Sequence, residues 1–373
     1  VNRSNSGANL PTLRSHNAAL VLDLLRAAGE CGISRLELAE RTGLTPQAVS
    51  KITARLRAEG LAAGAGHRAS TGGKPRTVLR LVPDAGYAVG LHLDRDELTA
   101  VLVDLSGAVA ASRTAPLDLG APADEVLAAA TEAVTAVRAG APGPGPGGRP
   151  VLGVGVAVPG PLDHRGGVLH RVTGFPQWDG YPLRDALAVR TGLPVVVDKD
   201  TNAAALGLAL RAAGGGDFAY LHLGTGLGAG LVLGGALHRG ARTAAGEFGH
   251  QTVQLDGPVC GCGGRGCIEA LCLAAVARGD VAEAARVLGT GAANLVGLLD
   301  IDRVVLGGRT VAADPEAYVR GVRAVIDERA ALGGIDAPVP VTAAGGGDRP
   351  VAEGAAQLIL APLFGRAGGT YGA

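Results

Sequence analysis

Leu20, Val21, Leu24 and Leu25 recur at helical spacing and predict a helix over 17–28, closed by Gly29. A second helix is predicted over 34–41. Arg41-Thr42-Gly43-Leu44 then reads as a turn, and Thr45-Pro46-Gln47 opens a third helix with a capping hydroxyl and a proline at the first helical position. Ala48, Val49, Ile52 and Leu56 form the inward face of that helix, and Gln47, Ser50, Lys51 and Arg55 the outward one. The stretch 61–81, apolar at its ends with Gly64, Gly66, Gly72 and Gly73 between, predicts a β-hairpin. Beyond Ala85 the period changes. Strands are expected at 87–93, 98–105, 151–158, 218–223, 227–233 and 304–306, and helices at 124–138 and 351–363. Turns form at Gly224-Thr225-Gly226 and Gly307-Gly308, and 141–149 is a Gly/Pro loop. Such alternation describes a mixed α/β body behind a small helical head with a hairpin wing.

Charge sharpens the division. The chain has 34 basic and 34 acidic residues, yet through Val82 twelve basic residues stand against five acidic ones. A basic head on an acidic body suits a polyanionic partner for the head alone. Helix, glycine turn and proline-started helix have helix-turn-helix spacing. Thr45, Gln47, Ser50, Lys51 and Arg55 are placed to meet a major groove, and Arg68, Lys74 and Arg76 on the hairpin to lie on phosphates, so duplex DNA is the expected partner. The plainer reading of the same helices is an oligomerisation module with a solvated basic face.

Three of the five cysteines, Cys260, Cys262 and Cys267, fall in one glycine-rich stretch after Gly246-Glu247-Phe248-Gly249-His250. Thiolates and an imidazole are the ligand set of a closed tetrahedral zinc site, so His250, Cys260, Cys262 and Cys267 are expected to hold structural Zn2+. The competing reading is unpaired core cysteines beside an unrelated histidine. Free thiols elsewhere, no run of eighteen apolar residues and no leader-like opening fit a cytoplasmic protein without a membrane span.

The residues taken together resemble the ROK family of sugar-responsive repressors and sugar kinases. The likeness rests on the winged head, on the run 153–161 (GVGVAVPGP), on Asp198-Lys199-Asp200-Thr201-Asn202-Ala203-Ala204, on 224–230 (GTGLGAG), on 246–250 and on the cysteine motif. It implies a winged helix-turn-helix domain over 1–82 and, over 83–373, a two-lobed actin-like ATPase (ribonuclease H-like) ROK domain. Lobe one would span about 83–199 plus the C-terminal helix 351–373, and lobe two about 200–350. The resemblance places a monosaccharide effector against Lys199, Asp200, Glu247, His250 and Glu269, with zinc on His250 and the three cysteines. It also implies a homodimer or homotetramer on a two-fold operator.

In the family's kinases the aspartate matching Asp200 is the general base that deprotonates the sugar hydroxyl. Here the sequence departs from the pattern. Where those kinases have an Asp-x-Gly-Gly-Thr phosphate loop, this chain has His92-Leu93-Asp94-Arg95-Asp96, with two carboxylates where phosphates would sit. No catalytic residue is therefore expected, ATP is not expected to bind, and Asp200 is read as a sugar ligand. Lys199 replaces the family's usual Asn and brings a cation to the cleft. A sugar-responsive repressor is the leading expectation. An ATP-dependent sugar kinase with a DNA-binding head, and a DNA-bound protein that no longer senses sugar, are the alternatives.

Overall fold

The structure is a computed structural model that describes residues 10–68, 76–140, 150–211, 216–334, 339–345 and 349–366. The expected loop 141–149 and Lys74 lie outside these residues, as do the side chains of Arg68 and Arg76.

The head has helices Leu10–Ala28, Arg35–Thr42 and Pro46–Ala58, then antiparallel strands Ala62–Arg68 and Arg76–Leu81. Ile33–Ser34 pairs with the second strand and completes a three-stranded sheet. Local chemistry sets the helix starts. Ser34 Oγ accepts from Glu37 N while Glu37 Oε2 accepts from Ser34 N, a reciprocal cap. Thr45 Oγ1 accepts from Ala48 N at 3.2 Å, so the Thr45 hydroxyl serves as the helix cap. Val49 and Leu56 are buried as expected, and so is Thr53, whose hydroxyl donates to Val49 O and receives Arg35 Nε.

The body contains two five-stranded sheets built to one plan. In the first, Tyr87–Leu93 is central. Glu97–Asp104 and Val109–Pro116 lie antiparallel on one side, and Val151–Val158 and Val195–Lys199 run parallel on the other. In the second, Phe218–Leu223 is central, with Leu227–Leu233 and Ala236–Leu237 on one side and Arg303–Gly307 and Val341–Ala343 on the other. The two sheets are thus one strand order used twice, which no sequence repeat announces.

Helix Arg349–Leu360 joins the parts. It lies on strands Tyr87–Leu93 and Val151–Val158 so closely that a Cβ at Gly155 would collide with the Ala355 carbonyl oxygen. On its other side Gly354 meets the Ala203 carbonyl of helix Asp200–Arg211. Beyond its end, Phe364 joins Val21, Leu25, Leu56, Val101, Val103 and Leu360 in one apolar cluster, so head and body share a continuous core. Arg26 stacks 4.6 Å over Phe364, and Arg366 donates twice to Asp23 Oδ2, at 3.1 and 2.7 Å. Each buried Leu, Val or Phe there contributes on the order of 1.5–3 kcal/mol. The half-exposed Asp23–Arg366 pair adds about 1 kcal/mol at most. Apolar packing therefore sets the joint. Among the described residues no helix is long and apolar enough to cross a membrane.

Candidate functional site

A cleft of about 770 Å³ collects all five expected sugar contacts, Lys199, Asp200, Glu247, His250 and Glu269. Lys199 ends strand Val195–Lys199, and Asp200 begins the helix that follows it directly. Glu247 precedes a 3₁₀ turn, Phe248–His250, that ends at His250, and Glu269 sits in the first turn of helix Ile268–Ala277. Asp200 opens onto the cleft but is enclosed by protein. Desolvation raises its pKa, opposed by His222 and by Thr201 N–H. Glu269 Oε2 accepts from Leu227 N at 2.9 Å.

Lys199 does not present a bare cation to the cleft. Its Nζ donates to Glu247 Oε1 at 3.0 Å and to the Ala245 carbonyl, and its side chain is 3% exposed. The lysine therefore holds Glu247 in place. Behind it Asp198, buried, accepts from Lys199 N, Asn202 Nδ2 and, at 2.7 Å, Arg239 Nε. Asp198 stands inside the recognised motif, so a signal existed. Arg239 carried none.

One face of the cleft is the cysteine loop. Ligand atoms of His250, Cys260, Cys262 and Cys267 all lie within 4.8 Å of one another. Cys262 and Cys267 Sγ are 3.8 Å apart, and Cys260 Sγ is 3.7 Å from His250 Nδ1. Ligands about 2.0–2.3 Å from a tetrahedral zinc stand roughly 3.5–3.8 Å from each other, so the spacing fits the ion. It is far too long for a disulfide, whose sulfurs lie about 2.05 Å apart. Burial pushes Cys260 up and Cys267 up to about 12, whereas Gly264 N–H lowers Cys262. A dication on this cluster would relieve that cost.

The His92–Asp96 segment also lines the cleft, through Asp94 and Arg95. Its carboxylates are paired. Arg309 Nη2 reaches Asp96 Oδ1 at 2.5 Å and Asp94 Oδ2 at 3.4 Å, and Thr225 Oγ1 donates to Asp94 Oδ1 at 2.9 Å. These contacts tie the first sheet's turn to the Gly224–Gly226 loop and to the start of helix Arg309–Ala313 beside the second sheet. Arg309 lies 215 residues from Asp94, so no local pattern foretold it. His92 is buried, and desolvation lowers its pKa to about 4 against the pull of Asp94. His92 is thus a neutral imidazole near neutral pH.

On the head, Thr45, Gln47, Ser50, Lys51 and Arg55 are all exposed along the start and outer face of the third helix. Arg55 lies 3.7 Å from Glu59, an exposed pair that phosphate could displace.

Residues 88–278, just over half the chain, match the ROK family. The chain belongs to the ROK family. Residues 20–62 match winged helix-turn-helix DNA-binding domains. The ROK chain is 28% identical over 342 residues to a putative xylose repressor of Caldicellulosiruptor sp. (strain Rt8B.4), covering 80% of this chain and 84% of that one. Among solved structures it superimposes on a ROK family transcriptional regulator, a homolog of E. coli MLC, with TM-score 0.74 and 22% identity, covering 94% and 97% of the two chains. A ROK family glucokinase from Streptomyces griseus, solved with glucose and AMPPNP, gives TM-score 0.62 and 29% identity over 73% of this chain and 99% of that one. The fold is accordingly a winged helix-turn-helix head on the two-lobed actin-like ROK body.

Proposed function

We propose that this chain is a sugar-responsive DNA-binding repressor of carbohydrate-utilisation genes that does not transfer phosphate. Residues 1–82 read operator DNA through Gln47, Ser50, Lys51 and Arg55, with Arg68, Lys74 and Arg76 on phosphates. Residues 83–373 hold a monosaccharide in the cleft. The observation that carries this reading is the position of helix Arg349–Leu360. One face packs on the helix that begins at Asp200, and its C-terminal continuation packs into the core of the head. A ligand-gripping carboxylate and a DNA-reading helix therefore stand at two ends of one packed path.

Asp200, Glu247 and Glu269 supply acceptors for sugar hydroxyls, and Lys199 acts by fixing Glu247. His250 directs Nδ1 toward Cys260, leaving its other ring nitrogen for the cleft. Zinc, when bound by His250, Cys260, Cys262 and Cys267, supplies a rigid cross-link for this loop. Glu247 and Glu269 come from segments beside that loop, so its order sets their positions. A sugar gripped from both sides favours one arrangement of the body, and it alters DNA affinity only through unequal affinity for the two arrangements. In a homodimer or homotetramer the change alters the spacing of two heads on a two-fold operator.

The retained Asp200 favours a second reading, an ATP-dependent sugar kinase with a DNA-binding head. The Arg309–Asp94–Thr225 tie and the neutral His92 weigh against it. A coupled ADP-release assay across common monosaccharides separates the two. Sugar-dependent turnover that vanishes in Asp200→Asn would promote the kinase.

A further inference from the structure

Each carboxylate lining the cleft already has a partner, Asp200 included, whose Oδ1 accepts from Thr201 N–H at 2.6 Å. Asp94 is met by Thr225 and Arg309, Asp179 by Arg171, Glu247 by Lys199 and Glu269 by Leu227 N–H. The lining cations divide differently. Arg171 and Lys199 have carboxylate partners, but Arg95 has none among the described residues.

Arg95 is also held in place. Its backbone N–H donates to Asp94 Oδ1 at 2.7 Å, and its guanidinium stacks 5.5 Å over the Phe175 ring. A methyl group placed on Gly174 would stand 3.8 Å from Nη1, and one on Gly226 would stand 3.8 Å from Nη2. The fork therefore sits between a loop of the first lobe and a turn of the second, with small neighbours that leave its edge open. The same Gly226 position lies 3.2 Å from Glu269 Oε2, so a ligand at Arg95 is also beside an expected sugar contact. A planar guanidinium fixed in a partly enclosed cleft offers two parallel donors, which match a carboxylate or a phosphate and are wasted on a lone hydroxyl.

We infer that Arg95 forms an anion subsite in the cleft, and that the effector is a sugar bearing a carboxylate or phosphate group. This inference rests on the reading of the cleft as a sugar site. Arg95 then determines specificity, because an anionic sugar gains two charge-assisted hydrogen bonds that its neutral counterpart lacks.

The test is isothermal titration of the full-length protein with glucose, glucuronate and glucose 6-phosphate, and with galactose and galacturonate. The carboxylate and phosphate arms distinguish the two anion types. The expected result is that one of the anionic sugars binds roughly tenfold or more tighter than its neutral counterpart. Arg95→Gln should remove that preference, and Arg95→Lys should keep part of it. Neutral sugars binding as tightly as anionic ones, or a preference that survives in Arg95→Gln, overturns the subsite. Binding of none of the five overturns it together with the sugar-site reading, whereas neutral-only binding leaves that reading standing.

Discussion

Lys199 Nζ stands 3.0 Å from Glu247 Oε1, and the two partners are unequally buried, with 3% of the lysine side chain exposed against 40% of the glutamate. The pair is therefore asymmetric in its failure. Removing the glutamate leaves a buried ammonium with only the Ala245 carbonyl and no counter-charge, whereas removing the lysine leaves a carboxylate that water can reach.

Glu247→Ala should consequently destabilise the protein more than Lys199→Met, by about 1–2 kcal/mol after discounting for the exposed partner. Urea unfolding of both variants measures the difference. Equal losses, or a larger loss for Lys199→Met, would show that the lysine is not held by this contact.

The cysteine loop gives a second expectation. Purified protein should carry about one zinc per chain, and Cys262→Ser should lose it and melt at lower temperature, because metal affinity is folding free energy at such a site. Elemental analysis finding no zinc in protein prepared without chelator would remove the metal from the account.

For the head, a Lys51→Ala/Arg55→Ala variant should bind operator more weakly while its body melts as before. The slope of log K against log salt should fall by about 1–2, since each phosphate contact contributes roughly 0.9. An unchanged slope would mean that these side chains do not reach the backbone.

His92 makes stability depend on pH. Its pKa falls from the ordinary 6.5 to about 4 on burial, so between these values the unfolded chain binds more protons than the folded one. Stability is full above pH 6.5 and declines as pH drops toward 4, by up to about 1.4 kcal/mol per pH unit. His92→Gln should flatten that decline in pH-dependent denaturation, and an undiminished decline would assign it elsewhere.

Much of this protein was legible in its sequence, for reasons that individual elements make plain. Strands 151–158, 218–223 and 227–233 emerged with their expected bounds because each is an uninterrupted or nearly uninterrupted apolar run. Strand Val109–Pro116 was missed. It is an edge strand, mostly exposed, and its sequence VAASRTAP has no buried face to print a period. Helix Val281–Leu299 was missed for a different reason, since its buried face is mostly alanine and glycine and blurs the apolar stripe, whereas Pro315–Leu332 buries only Tyr318, Val322 and Ile326 among many charged positions. The histidine–cysteine cluster and the acids around the cleft were visible because they lie in short local motifs. Arg309, Arg239 and the core joining Phe364 to Val21 were not, because each pairs residues distant in the chain.

The central claim is that a ligand in the cleft changes DNA binding through Asp200. Fluorescence anisotropy of a labelled operator, taken from the promoter of a neighbouring sugar-utilisation operon, tests it directly when titrated with protein at saturating sugar. Operator Kd should shift at least roughly fivefold with the effector, the lower end of ordinary allosteric coupling. Asp200→Asn should bind the same DNA with unchanged affinity and show no shift. An identical operator Kd with and without a sugar that calorimetry shows to be bound would contradict it.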